Sequence, residues 1–374
     1  MIDQLLEIKP ISSETEKINL TQEFKFDFDD VLITPEIITE ISSRSSINIF
    51  YPQESGFHHH EHLPLITAPM DTVVSKENRD YFILNNINVC YPRGIKTNRY
   101  NINGKMCFVS YSLSDFIFEF IENRFSFSKN DEVNVCIDTA NGHIVDLKNA
   151  IKDAKEKYGN KLNIMAGNVA NPKSYVELSN AGCNFIRLGI GNGNGCLTTQ
   201  QTAIGYPMGS LIRECYELKK ELKCEAKIVA DGGMKKYSDI IKALALGADY
   251  VMVGSIFNKA LESCGETYLF NKIKLNPESK FTQWLYSKNF KLTKKFRGMS
   301  TKEVQKDWGK KIIKTSEGIS TKRPVEYTLA QWTENFEHYL KSSMSYTNHQ
   351  DLFSFIGNIK FNLITNNAFL RFKK

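Results

Sequence analysis

The chain has 374 residues, 41% apolar and 24% charged, with a formal net charge of +6. That length suits one large α/β barrel or two ordinary domains, and the apolar share is enough for a full core. No apolar run reaches membrane-spanning length, and a charge this mild and dispersed does not make nucleic-acid binding the first reading.

The opening segment, MIDQLLEIKPISSETEK, lacks the basic start and apolar stretch of a signal peptide. The eight cysteines stand singly, with no C-x-x-C pair. A reducing, cytoplasmic setting is therefore expected, with neither a zinc site nor a disulfide framework. Residues 1–62 form an N-terminal extension. Within it, Asp27, Asp29 and Asp30 read as a solvated or capping cluster. His58, His59, His60 and His62 read as loop residues, because they lack the helix or strand spacing that converges ligands on a metal.

From residue 63, short apolar runs recur, ending in Gly, Pro, Asp or Asn: LPLITAPM, INVCYP, KMCFVSY, VNVCIDTA, LNIMAGN, FIRLGIG, KIVADGG and YVMVGS. Most are continuous rather than alternating, as strands buried on both faces are. Cys90, Cys107 and Cys136 sit inside such runs and read as core. Helical spacing separates several of them, in DLKNAIKDAKEKYG, NPKSYVELSNAG and SDIIKALALGA. Eight such units predict a closed parallel (β/α)8 TIM barrel, preferred over an open doubly wound sheet. His143 follows a strand end and reads as a helix cap or loop anchor. Residues 265–325 are polar and long for a barrel loop, which suggests an irregular mobile lid. Beyond them, RPVEYTLAQWTENFEHYLKSSMSY predicts a closing helical segment. The whole chain, 1–374, reads as one barrel domain.

In a barrel the chemistry sits after the C-terminal ends of the strands. There the sequence places IRLGIGNGNGCLTTQQTAIGYP, a thiol in a permissive backbone. A structural cysteine needs no such setting; a nucleophile needs an exposed turn with room for a substrate. Asp231-Gly232-Gly233 and Gly254-Ser255 end the seventh and eighth strands. Backbone N–H groups there can hold a phosphate, and Asp231 beside them can accept from ribose hydroxyls. A nucleotide so held places its base over the barrel mouth, toward Cys196.

These motifs resemble the IMP dehydrogenase/GMP reductase family along nearly the whole chain. The matching pieces, in order, are FDFDDVLITP, APMDTV, CIDTANGH, AGNVA, GIGNGNGCLTT, IGYP, VADGGM, GADYVMVGS, FRGMS and SEG. The resemblance implies a (β/α)8 barrel, usually tetrameric, in which a cysteine bonds covalently to C2 of a purine nucleotide. It leans toward the reductase branch. Tyr91 to Lys105 is too short to hold the two regulatory (CBS) domains usual in the dehydrogenase, and STKEVQKDWGKKIIKTSEGISTK lacks the arginine of the dehydrogenase's Arg-Tyr pair. The implied reaction is reductive deamination of GMP to IMP and ammonia with NADPH; the alternatives are oxidation of IMP to XMP with NAD, or a silent nucleotide-binding barrel.

The resemblance assigns catalysis to Cys196, Thr198, Glu317 and Asp138, the thiol adding to C2 while Thr198 and Glu317 relay the leaving amine's proton. It assigns substrate binding to Asp231, Gly232, Gly233, Gly254, Ser255, Gly298 and Met299. Cofactor contacts fall on Asp71, Lys314, Ser316, Gly318 and Ser342, in part from a neighbouring subunit of a homotetramer. Backbone carbonyls of Gly191, Gly193 and Cys196 match a monovalent cation site, which the resemblance implies is for potassium. The chain departs from the family pattern at Asn194, Thr199 and Phe296, where serine, arginine and tyrosine are usual. Near the second strand's end a lysine is usual, and Arg93 stands nearby.

Overall fold

A computed structural model describes residues 24–52, 61–95, 107–123, 132–307 and 318–372. All eight apolar runs form strands: β1 (Leu65–Thr67), β2 (Val89–Tyr91), β3 (Cys107–Tyr111), β4 (Val133–Asp138), β5 (Leu162–Val169), β6 (Phe185–Leu188), β7 (Lys227–Asp231) and β8 (Tyr250–Val253). Each pairs in parallel with its neighbour, and β1 pairs with β8. The Thr67 N–H donates to Asn88 O at 2.9 Å and the Asn88 N–H to Leu65 O at 3.0 Å, which joins β1 to β2 and closes the ring. The fold is thus the (β/α)8 barrel. Its strands bury both faces, one on the barrel interior and one on the helices, so continuous apolar runs are what this sheet requires.

The helices form where the 3.6-residue spacing places them. They include α1 (Val145–Tyr158), α2 (Pro172–Asn180), α3 (Met208–Glu221) and α4 (Tyr237–Leu246). Asn171 caps α2 by accepting from the Lys173 N–H, with Pro172 at the first helical position. Helix α4 is apolar nearly all round because it is covered twice, by the barrel and by a C-terminal helix, α5 (Leu329–Tyr346). Trp332 of α5 sits between Tyr237 and Phe257, with ring centroids 5.3 and 5.1 Å away.

Several residues read as structural are so placed. Cys90, Cys107 and Cys136 are buried. Asp27 and Asp30 build a capping box. His143 accepts from the Ala170 N–H at 3.0 Å and meets Ser174 Oγ at 2.9 Å, tying two loops together. His62 is buried against Tyr51 and 3.1 Å from Tyr250 Oη; His58, His59 and His60 lie outside the described residues.

The polar stretch after β8 differs from the irregular segment its composition suggests. It folds as a four-stranded antiparallel sheet of β9 (Thr267–Leu269), β10 (Ile273–Leu275), β11 (Leu292–Arg297) and β12 (Ser320–Pro324), in the order β10-β9-β11-β12. In β11 burial alternates strictly, with Leu292, Lys294 and Phe296 inward. The period of two is masked in the sequence because one inward residue is a lysine. Lys294 Nζ donates to Leu261 O at 2.7 Å and to Ser263 O, which ties this sheet to the chain leaving the barrel.

Candidate active site

Register builds the site. In the ladders Asp138 stands opposite Gly167, Arg187 opposite Val229, and Asp231 opposite Met252, so the polar strand ends share one rim. A cavity of about 580 Å³ opens there, a size usual for small-molecule sites. Its floor and walls come from β6–β8 on one side (Gly189 to Cys196, Asp231 to Met234, Met252 to Ser255) and from β2–β4 on the other (Arg93, Ser112, Leu113, Asp138, Thr139, Ala140). Phe296, Gly298, Met299 and Ser300, leaving the antiparallel sheet, form part of the wall.

Cys196 lines this cavity, is partly exposed, and has its Sγ 3.2 Å from Thr198 Oγ1. Its loop is held from within and from above. The Cys196 N–H donates to Gly193 O at 2.9 Å, and Thr199 Oγ1 donates to Ile190 O at 2.9 Å. Gly191 has φ +77°, and a Cβ there would lie 1.8 Å from Thr199 Oγ1, so this turn admits only glycine. Thr199 therefore fastens the loop from within. From above, Gly318 bridges to Cys196, and the Ile319 N–H donates to Gly195 O at 3.2 Å. Glu317, Lys314 and Ser316 lie outside the described residues.

Beyond Asp231, the turns that follow β7 and β8 present neutral groups to the cavity. Gly232 and Gly233 have φ +83° and +92°, and a Cβ on Gly232 would meet Gly193 Cα at 3.1 Å, so two loops touch through glycines. Asn194 Nδ2 donates to Ser255 Oγ at 2.8 Å, joining the cysteine loop to the end of β8. Phe296 is buried, and the Arg323 guanidinium stacks over its ring, 3.9 Å from the centroid.

A charged, internally paired network runs along the rim from Arg93 and β4 to the ends of β6 and β7. Buried Arg187 bonds Asp138 Oδ1 through Nη1 at 2.8 Å and Asp231 Oδ2 through Nη2 at 2.8 Å and Nε at 3.1 Å. Arg93 Nε reaches Asp138 Oδ2 at 2.9 Å, and Asn168 Nδ2 reaches Asp231 Oδ2 at 2.7 Å. Burial pushes the Asp138 carboxyl up, but the charges of Arg187 and Arg93 outweigh that and hold it below the usual carboxylate range. Arg187 is held charged in the same way: burial opposes the charge, and Asp231 and Asp138 retain it. Sequence reasoning found Asp138 and Asp231, reached Asn168 only as a strand end without a role, and passed over Arg187. The signal was present: an arginine inside the apolar run FIRLGIG is costly unless carboxylates face it.

Other assigned residues stand apart. Asp71 is not among the cavity-lining residues, and its carboxylate is held by Arg297. Ser342 lies on α5, outside the barrel. Among the described residues no cluster of three or more His, Cys, Asp or Glu could hold a metal ion. The Gly191, Gly193 and Cys196 carbonyls belong to one loop and offer neutral oxygens. Such a donor set fits a weakly held monovalent cation better than a divalent one, which takes carboxylates.

Residues 121–371 match the model of the IMP dehydrogenase / GMP reductase domain. The chain is 30% identical over 350 residues to a GMP reductase of Buchnera aphidicola subsp. Schizaphis graminum, covering 90% of this chain and 93% of that one. It is 29% identical over 354 residues to a GMP reductase of Staphylococcus epidermidis, covering 92% and 98%. Over 231 residues it is 34% identical to an inosine-5'-monophosphate dehydrogenase of Chlorobaculum parvum, of which it spans only 45%. The chain belongs to the IMP dehydrogenase/GMP reductase family, a family of oxidoreductases, as its motifs implied.

Proposed function

We propose that the protein is a GMP-reductase-type enzyme, converting GMP to IMP and ammonia with NADPH as the hydride donor. The observation that carries the reading is the Cys196 thiol, facing the cavity 3.2 Å from Thr198 Oγ1 on a loop clamped by Gly318. The length match to two GMP reductases supports the reductase branch over the dehydrogenase.

The nucleotide's phosphate sits at the neutral β7–β8 end, against the N–H groups around Gly232, Gly233, Gly254 and Ser255, with Asn194 as a further donor. An anion there meets donors and no carboxylate, while Asp231 lies farther in, toward the ribose. This places the purine between Met299 and the thiol. The Cys196 thiolate adds to C2. The C2–N bond breaks as the amine takes a proton, because an amide anion is a very poor leaving group, and ammonia departs. Thr198 is placed to pass that proton, and Glu317, next in the chain to the residue bridged to Cys196, supplies it. NADPH, when bound, supplies hydride to C2; the C–S bond then breaks and the thiolate is restored.

The cavity continues past the thiol to Arg93, Ser112 and Thr139, which supports a second ligand beside the nucleotide. Asp138 would face the cofactor's nicotinamide half there; the resemblance assigns its further contacts to Asp71, Lys314, Ser316, Gly318 and Ser342, in part from a neighbouring subunit. A monovalent cation at the Gly191, Gly193 and Cys196 carbonyls, potassium by the family resemblance, would stiffen the thiol loop. A homotetramer in the cytoplasm completes the proposal; no described helix is long and apolar enough to cross a membrane.

The test is product analysis. Incubation with GMP and NADPH should yield IMP and ammonia and consume NADPH. Formation of XMP and NADH from IMP and NAD would establish the dehydrogenase instead. Tight GMP binding with no product under either condition would leave a silent binding barrel.

A further inference from the structure

Two carboxylates face the cavity from different strands, and one buried guanidinium holds both. Arg187 gives Nη1 to Asp138 Oδ1 and two nitrogens to Asp231 Oδ2. Asn168 adds its amide to the same Asp231 Oδ2 at 2.7 Å and donates also to Gly189 O at 2.9 Å. Three donors thus converge on one oxygen of Asp231. Its other oxygen, Oδ1, takes no hydrogen bond from any described residue, and Asp231 lines the cavity. A carboxylate has acceptor capacity on both oxygens. Loading Oδ2 so heavily fixes the group's plane and leaves Oδ1 as a charged acceptor of set direction.

We propose that Arg187 is a positioning residue that makes the site selective for ribonucleotides over 2′-deoxyribonucleotides. It rests on the nucleotide reading above. Arg187 touches no substrate itself. It acts through Asp231, whose Oδ1 receives the ribose hydroxyl nearest the purine. When that hydroxyl is missing, a partly buried charged acceptor goes unmatched, and the cost falls on the deoxynucleotide alone. Only arginine can do this from β6, because its planar fork spans both carboxylates at once, whereas a lysine ammonium is a single point that must choose.

The experiment compares GMP and dGMP by calorimetric titration and, in turnover, by kcat/KM. Removing the guanidinium outright would strand two buried carboxylates, so the main variant is Arg187→Lys, which keeps the charge. The wild type should prefer GMP by roughly ten- to a hundred-fold, the value of a hydrogen bond to a charged group. Arg187→Lys should bring that preference down toward unity, mainly through dGMP catching up relative to GMP. Asp231→Asn should do the same, and the double variant should add little, because both act through one oxygen. A residue of merely structural value would lower thermal stability and weaken both nucleotides equally, leaving their ratio unchanged; that result overturns the inference. Equal wild-type affinity for GMP and dGMP overturns it too while sparing the nucleotide reading. Failure of the wild type to bind either overturns the nucleotide reading itself.

Discussion

The two ends of the cavity solve opposite problems. In the turns that follow β7 and β8 the backbone turns on glycines and the side chains are neutral, Asn194 bonding Ser255. Along the rim from Arg93 and β4 to the last residues of β6 and β7 the side chains are charged, and each charge is matched: Arg93 to Asp138, and Arg187 to Asp138 and Asp231. The neutral end can accept an anion because nothing there repels it. The charged end cannot rearrange cheaply, because each charge that leaves strands a buried partner. One end is shaped by space and the other by electrostatics. Cys196 stands between them.

The largest expected effect comes from breaking the centre. Cys196→Ala should abolish turnover of GMP with NADPH, since no other cavity-lining residue carries a thiol. Nucleotide affinity should stay within a few-fold of the wild type, because both ends remain. Product detection by mass spectrometry alongside calorimetric titration separates the two. Loss of binding together with turnover would mean that the thiol loop, rather than the thiol, had been damaged.

Next comes the charged end. Asp138→Asn leaves Arg187 and Arg93 short of a carboxylate and should cost about 3–5 kcal/mol of stability at neutral pH. The pH dependence has a definite sign. The folded carboxyl is held below the unfolded value of about 4, so its stabilisation is complete above that value and is lost as pH falls through the folded one. Thermal melts below pH 4 should therefore show the wild type converging on Asp138→Asn. A constant gap down to strongly acidic pH would show that Asp138 contributes by shape alone.

The neutral end should respond to volume instead. Gly191→Ala places a methyl 1.8 Å from Thr199 Oγ1 at φ +77°, so the loop must shift. Catalytic efficiency should fall on the order of 10²-fold, the scale of about an ångström of misplacement. Pairing it with Thr199→Ala removes the nearest clash and should recover part of the loss. If Thr199→Ala rescues nothing, the loss lies in the positive φ and in the contacts that alanine keeps, Cβ at 2.6 Å and backbone N at 2.7 Å.

The same contrast decides what the sequence disclosed. Glycines and the thiol are legible because their placement after strands is itself the signal, and the eight apolar runs are legible because parallel strands are buried twice. Arg187 was hidden inside FIRLGIG, where the apolar neighbours that make its burial expensive also make it look incidental. Its partners are 49 and 44 residues away in sequence, so only the barrel brings them together. Phe296 announced itself as a departure, but the guanidinium stacked over it comes from Arg323, on a strand whose pairing the polar composition concealed. The antiparallel sheet is hidden for a related reason: the lysines of KLTKKF mask its alternation, and one of them is among the most buried side chains of the molecule.

That lysine gives the smallest expected effect on turnover and the clearest on stability. Lys294 is not among the cavity-lining residues, and burial lowers its pKa to about 7, with Cys264 and Glu262 only partly opposing the shift. Unfolded, the amine holds its proton up to about pH 10.4. Between those two values the unfolded chain binds more protons than the folded one, so stability rises with pH across that window. Below pH 7 the penalty is at its full size, on the order of several kcal/mol by the width of the shift. Lys294→Met fills the same space without a charge, and gives up the hydrogen bonds to Leu261 O and Ser263 O. Its stability relative to the wild type should therefore be more favourable at pH 6 than at pH 10, whatever the loss of those bonds costs at every pH. Denaturant melts at the two pH values measure the difference directly. Equal differences at both would mean that the ammonium keeps its proton when buried, its two carbonyl partners sufficing to hold the charge.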